Sequence, residues 1–206
     1  MKSELLRCKD SSLLIWELTE SSEELLADFT LSDVENREYN LLVTPKRRLE
    51  YLGVRTALKE LLGRKACIEY DENGKPFLAD KSFHISISHS KNIIAVMAHP
   101  TSQVGIDIEC PSDKIQKLYK RFLGETEQTE LSGGNDIPQL QIAWSAKEAL
   151  FKIIGKEAVD FANQLQIFSF DVQPAGQITA RHIPSASIYQ LNYIQSPAYT
   201  LVYCVV

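Results

Sequence analysis

Two segments of helical period, each with its own start and stop signals, divide a chain otherwise built of short alternating runs. In TPKRRLEYLGVRTALKELLG, residues 44–63, Thr44 suits the cap, Pro45 the first helical position and Gly63 the stop. Tyr51, Val54, Leu58, Leu61 and Leu62 form its apolar stripe, and Arg48, Arg55 and Lys59 fall on one flank. The second, QIAWSAKEALFKIIGK, stops near Gly155 and places Trp144, Lys147, Phe151 and Ile154 on one side. SSEELLADFTLSDVENREYNLLV reads as one further helix, capped by Ser21 or Ser22. SDKIQKLYKRFLG is amphipathic, with Ile115, Leu118, Tyr119 and Phe122 opposite Lys114, Lys117, Lys120 and Arg121. Between them lie strand-like runs: residues 13–18, FHISISHS, NIIAVMAH and QVGIDIE, and an Asn73-Gly74 turn. LSGGNDIP, residues 131–138, reads as a loop, and ASIYQLNYI and YTLVYCVV as a closing hairpin. Helices and short strands mixed in this way predict an α+β fold with antiparallel sheet.

Charge narrows the partners. Twenty-two Lys and Arg against 27 Asp and Glu give a net charge of −5, which argues against nucleic acid and requires a local basic patch for any anion. The opening MKSELLRCKD carries charges where a signal peptide needs an apolar run, and Leu13 to Trp16 is far too short to span a membrane. Cys8, Cys67, Cys110 and Cys204 lie far apart, with neither zinc-ligand spacing nor a disulfide framework. The expectation is four free thiols in a reducing cytoplasm.

In QVGIDIECP, Val104, Ile106 and Ile108 alternate with Asp107 and Glu109. Side chains two apart on a strand share a face, so the two carboxylates stand together and need a positive partner, a lysine or a metal. No histidine or thiol accompanies them on that face, and paired oxygens suit a hard cation such as Mg²⁺ that takes further ligands from phosphates. Glu148 and Lys152 are four apart on a helix: either a surface ion pair, or a third carboxylate beside a phosphate-binding amine. His89 shares the parity of Ile85 and Ile87, so it is either a core histidine or, at its strand end, one that points into a cleft.

GKPF, FHISISHS, VGIDIE, KRFLGETE and WSAKEALFKIIGK, in that order, resemble the motifs of the 4′-phosphopantetheinyl transferases. Chain length and the histidine-bearing first half resemble the larger, surfactin-synthetase-activating type. The resemblance implies a pseudodimer of two similar α+β halves, residues 1–103 and 104–206, with the active site in the cleft between them. It implies transfer of the phosphopantetheine arm of coenzyme A to a serine of an acyl or peptidyl carrier protein, releasing adenosine 3′,5′-bisphosphate. Asp107, Glu109 and Glu148 would hold Mg²⁺ or Mn²⁺, Glu148 would serve as base, and Lys152 would neutralise the phosphate. Ser88 and His89 would contact coenzyme A phosphates, with Gly74, Lys75 and Pro76 bordering adenine and phosphates. Arg48 and Arg55 would approach the 3′-phosphate, with Lys46 and Arg47 competing with Arg48 for that part. Lys117, Lys120 and Arg121 are the docking candidates for an acidic carrier. A monomer is expected. The competing reading is an inactive coenzyme A or carrier-binding module of the same fold.

Overall fold

The computed structural model describes residues 2–8, 10–131, 135–155 and 159–206. The first half opens with β1 (Lys2–Cys8) and β2 (Ser11–Glu17), an antiparallel pair. Two short helices follow, α1 (Ser22–Asp28) and α2 (Asp33–Leu41), where the periodicity predicts one. The reason is local. Ser21 and Ser32 each accept from the backbone N–H three residues on, and Glu24 and Glu35 reach back to the serine N–H groups. Two capping boxes start two helices, and the link between them buries Phe29 and Leu31.

The predicted long helix is α3 (Pro45–Leu62), capped by Thr44 and ended by Gly63 at φ +67°. Next come β3 (Ile68–Tyr70) and β4 (Pro76–Leu78), joined through the Asn73-Gly74 turn, with Gly74 at φ +77°. Then β5 (His84–Ser90) and β6 (Ile93–His99) form a hairpin. The sheet order is β1-β2-β6-β5, antiparallel throughout. Leu52, Ala57 and Leu58 of α3 pack on Leu14, Trp16, Ile94 and Val96 of one face.

The second half begins at β7 (Val104–Glu109) and ends in β9 (Ala175–His182), β10 (Ser187–Gln195) and β11 (Thr200–Val205), with β8 (Leu165–Ile167) at the far edge. This sheet runs β7-β11-β10-β9-β8, again antiparallel, and the predicted β10–β11 hairpin is present. Helices α4 (Ile115–Phe122), α5 (Glu125–Glu130), α6 (Ile137–Ile154) and α7 (Phe161–Gln164) cover it. The α6 helix starts inside the stretch read as a loop: Asp136 caps it and Ile137 and Pro138 belong to it, while residues 132–134 lie outside the described residues. Gly155 stops it at φ +61°.

Each half therefore centres on one antiparallel sheet backed by one long helix, with the separate β3–β4 pair added in the first, the α+β architecture expected, and the two halves fit a pseudodimer. A third core joins them. Leu13 and Ile15 of β2 and Ile93, Ala95 and Met97 of β6 pack against Val104, Ile106 and Ile108 of β7 and Leu201 of β11. The first sheet is thus covered on both faces, which explains the unbroken apolar run of β6. Among the described residues no helix is long and apolar enough to cross a membrane.

Candidate active site

Alternation along β7 sends Ile106 and Ile108 into the core between the halves. It turns Gly105, Asp107 and Glu109 the other way, toward α6. Gly105 permits the approach: a Cβ there would stand 2.8 Å from Ile153 Cγ1 and 3.0 Å from the carbonyl carbon of Ala149. Because α6 lies this close, Lys152 Nζ donates to Asp107 Oδ1 at 2.9 Å and to the Ile106 carbonyl at 2.7 Å. The positive partner of the strand carboxylates in this structure is Lys152, which turns to β7 and away from a surface pairing with Glu148.

On the other edge of β7 lies β5. Ser86, Ser88 and Ser90 accept from the N–H groups of Ile106, Ile108 and Cys110 at 3.1, 3.3 and 3.0 Å. The constant step of 20 residues means that the two strands run parallel, joined by hydroxyls instead of carbonyls. Ser88 also donates to Asp107 Oδ1 at 2.8 Å and Ser90 to Glu109 Oε2 at 2.9 Å. Trp144 Nε1 donates to Glu109 Oε1 at 3.4 Å. Burial and the neighbouring Asp107 push the Glu109 carboxyl above its ordinary range. Burial, then Asp107, push Glu148 up to about 7, with Lys152 opposing and Glu109 adding.

A cavity of about 610 Å³ opens beside this group. Glu148, Phe151 and Lys152 of α6 line one side, and Arg47 and Tyr51 of α3, Gly74, Lys75 and Pro76, and His89 of β5 line the rest. Lys75 donates to the Ile153 carbonyl and to Gln103 Oε1, both at 3.2 Å, so it ties the turn of the first half to the end of α6. His89 stands 3.7 Å from Glu50, out of the core, toward the cavity.

Three of the residues expected at the coenzyme are engaged with the protein itself. Arg48 Nε donates to the Leu42 carbonyl and does not line the cavity, whereas Arg47, its alternative, does. Arg55 touches the cavity but is 2% exposed, ion-paired with Glu35 at 3.3 Å and Glu38 at 3.2 Å. Its guanidinium lies 3.3 Å from the centre of the Tyr51 ring. It is held between α2 and α3, because α2 covers this part of the flank. Ser88 is buried against β7 and points its hydroxyl at Asp107, away from the cavity.

Sequence reasoning also missed Lys147. Its fully buried ammonium meets Glu127 Oε2 at 2.6 Å and the carbonyls of Phe122, Phe161 and Leu165 at 2.7, 2.8 and 2.6 Å. One amine thus ties α4, α5, α7 and β8 to α6. Only its place among the apolar residues Trp144 and Phe151 hinted at this.

The expected cation ligands can be tested against this geometry. Among the described residues no three His, Cys, Asp or Glu side chains stand where they could hold a metal ion. Yet Asp107 Oδ2 is buried without a hydrogen-bond partner, and Glu109 and Glu148 are both pushed toward protonation, first by burial and then by the neighbouring Asp107. An orphaned carboxylate oxygen among three all-oxygen donors fits a hard cation in chemistry, with Lys152 occupying part of the charge meanwhile.

Glu148 and Lys152 stand at the cavity wall, with Asp107 and Glu109 on β7 beside them, and Arg47, Lys75 and His89 line the cavity together with Glu50. Comparison with known proteins gives the class. Residues 103–204 match the model of the 4′-phosphopantetheinyl transferase superfamily. The chain is 29% identical over 178 residues to the 4′-phosphopantetheinyl transferase HetI of Nostoc sp., covering 79% of this chain and 73% of that protein. It is 28% identical over 201 residues to the 4′-phosphopantetheinyl transferase Sfp of Bacillus subtilis, covering 86% and 88%. It is 32% identical over 120 residues to the 4′-phosphopantetheinyl transferase AcpT of Salmonella typhi, covering 54% and 62%. The chain belongs to the 4′-phosphopantetheinyl transferase superfamily and is an enzyme of that class. The matches to HetI and Sfp extend through both halves, as the larger type requires.

Proposed function

We propose that this enzyme transfers the 4′-phosphopantetheine group of coenzyme A to a serine of an apo acyl or peptidyl carrier protein. The observation that carries the reading is the cavity in which Lys152 and Glu148 of α6 face Arg47, Lys75 and His89 of the first half. Basic groups converging from both halves suit a ligand with a pyrophosphate and a further phosphate. Arg47 takes the part first assigned to Arg48 and Arg55. Gly74 and Pro76 border the nucleotide.

In the reaction the serine Oγ forms a bond to the phosphorus that bears pantetheine. The bond from that phosphorus to the bridging pyrophosphate oxygen breaks, and adenosine 3′,5′-bisphosphate leaves with the oxygen. Glu148, a carboxylate on the cavity wall, takes the serine proton. Lys152 offsets charge on the phosphate under attack. Asp107, Glu109 and Glu148 would hold Mg²⁺ or Mn²⁺, which would supply charge neutralisation of the pyrophosphate.

The division between halves falls at Gln103–Val104, and one chain carries both walls of the site, so a monomer suffices. Lys117, Lys120 and Arg121 are exposed on α4 and form the docking surface for an acidic carrier. Among the described residues Cys67, Cys110 and Cys204 are free thiols.

The test mixes protein, Mg²⁺, coenzyme A and one purified apo carrier each of fatty-acid, polyketide and nonribosomal-peptide type, and weighs the carriers. A gain of one phosphopantetheine unit is expected on at least one. Coenzyme A binding with no gain on any carrier would make the chain a binding module and end the proposal.

A further inference from the structure

The three serines of β5 are chemically alike but face different residues. Each accepts one backbone N–H from β7, so each helps to seam the two sheets. Opposite Ser86 the strand offers Gly105, which has no side chain. Opposite Ser88 and Ser90 it offers Asp107 and Glu109, and both hydroxyls donate to them. A hydroxyl has one proton and spare lone pairs, so Ser90 can accept from Cys110 N–H and donate to Glu109 in the same geometry. Glu109 is then held from two sides: Ser90 of the first half on Oε2, and Trp144 of α6 on Oε1. Trp144 is itself fixed, edge-on to Phe122 with ring centres 5.1 Å apart and against Phe161 at 5.7 Å. A glutamate on three rotatable bonds, in a site crowded with Asp107, keeps one rotamer only if something holds it there.

We propose that Ser90, with Trp144 opposite it, is a positioning residue of the transfer reaction, setting the carboxylate of Glu109 for its cation. The inference rests on reading Glu109 as a cation ligand. It makes the joint between the halves part of the site: the hydroxyl that seams β5 to β7 also aims the carboxylate. Ser86, two repeats earlier on β5, does the first job without the second.

That difference supplies the test. Mn²⁺ binding to the whole protein, with coenzyme A present, is followed by electron paramagnetic resonance for wild type and for Ser86→Ala, Ser90→Ala, Ser90→Thr and Trp144→Phe. Melting temperatures are recorded alongside. Losing an outer partner of a ligand weakens metal binding by roughly 10- to 100-fold, and that loss is expected for Ser90→Ala. Trp144→Phe is expected to lose roughly tenfold, and it carries the test if Ser90→Ala does not fold. Ser90→Thr keeps the hydroxyl and should bind as wild type does. Ser86→Ala loses a seam contact and some thermal stability while binding Mn²⁺ unchanged. Wild-type affinity in Ser90→Ala or Trp144→Phe, or an equal loss in Ser86→Ala, would overturn the proposal. A wild-type protein that binds no Mn²⁺ would instead overturn the cation reading beneath it.

Discussion

Replacing Gly105 by alanine tests how the site is built. The new Cβ would meet Ile153 Cγ1 at 2.8 Å and the Ala149 carbonyl carbon at 3.0 Å, with the carbonyl oxygen nearer still. The isoleucine can turn aside, but the backbone of α6 cannot. Nor can β7 yield easily, since it is registered to β11 along its whole length and seamed to β5 by three serines. The helix must therefore retreat by roughly 1 Å, at a cost of about 3 kcal/mol, the upper end for overpacking. At about 2–4 °C per kcal/mol for a chain of this size, the melting temperature should fall by about 6–12 °C. The same retreat stretches the 2.9 Å contact of Lys152 with Asp107 beyond hydrogen-bonding range. A misplacement of that size costs about 100-fold in rate. Differential scanning calorimetry and a carrier-loading assay read the two effects. Gly63→Ala is the control: its Cβ meets nothing within 4 Å and only its φ of +67° is unfavourable. It should lose about 1–2 kcal/mol and no activity. Full activity in a folded Gly105→Ala would refute the close approach of α6 to β7 as the source of the site's geometry.

Other expectations follow from single residues. Lys147→Ala leaves Glu127 charged and unpaired in the core and should cost about 3–5 kcal/mol in a urea melt. Glu148 has a folded pKa of about 7, above its ordinary 4.5, so the metal-free native state holds a proton that the unfolded chain releases. Its contribution to stability is present below pH 4.5 and is lost as pH rises through 7; Glu148→Gln should flatten the melting temperature across that window. The same variant should stop transfer while coenzyme A still binds. Arg47→Ala should raise the KM for coenzyme A with little change in stability. Arg55→Ala should do the reverse, losing about 1.5–3 kcal/mol as its charged hydrogen bonds to Glu35 and Glu38 go while Lys65 stays on Glu35, as a denaturant titration would show. Reversing the charges of Lys117 and Lys120 should raise KM for the carrier several-fold, and an unchanged value would remove α4 as the docking surface.

Local signals carried much of this protein. Thr44-Pro45 and Gly63 bounded α3, Gly155 ended α6, and the two Ser-x-x-Glu boxes that split α1 from α2 stood in the chain to be read. Period two along QVGIDIE placed Asp107 and Glu109 on one face, because that follows from the backbone of the strand alone. Which element covers a face does not. Arg48 and Arg55 share a flank of α3 in the sequence, yet α2 folds over one of them, so Arg55 becomes core and the cavity receives Arg47. Lys147 and Lys152 lie on the same helix; the first is enclosed by four oxygens from surrounding elements and the second reaches a strand 45 residues earlier. Nothing local to the β5 serines says that β7 lies beside them. Side-chain direction is set by each residue's own backbone, and the sequence determined it. The partner met in that direction depends on packing between segments far apart in the chain, and only the tertiary structure decided that.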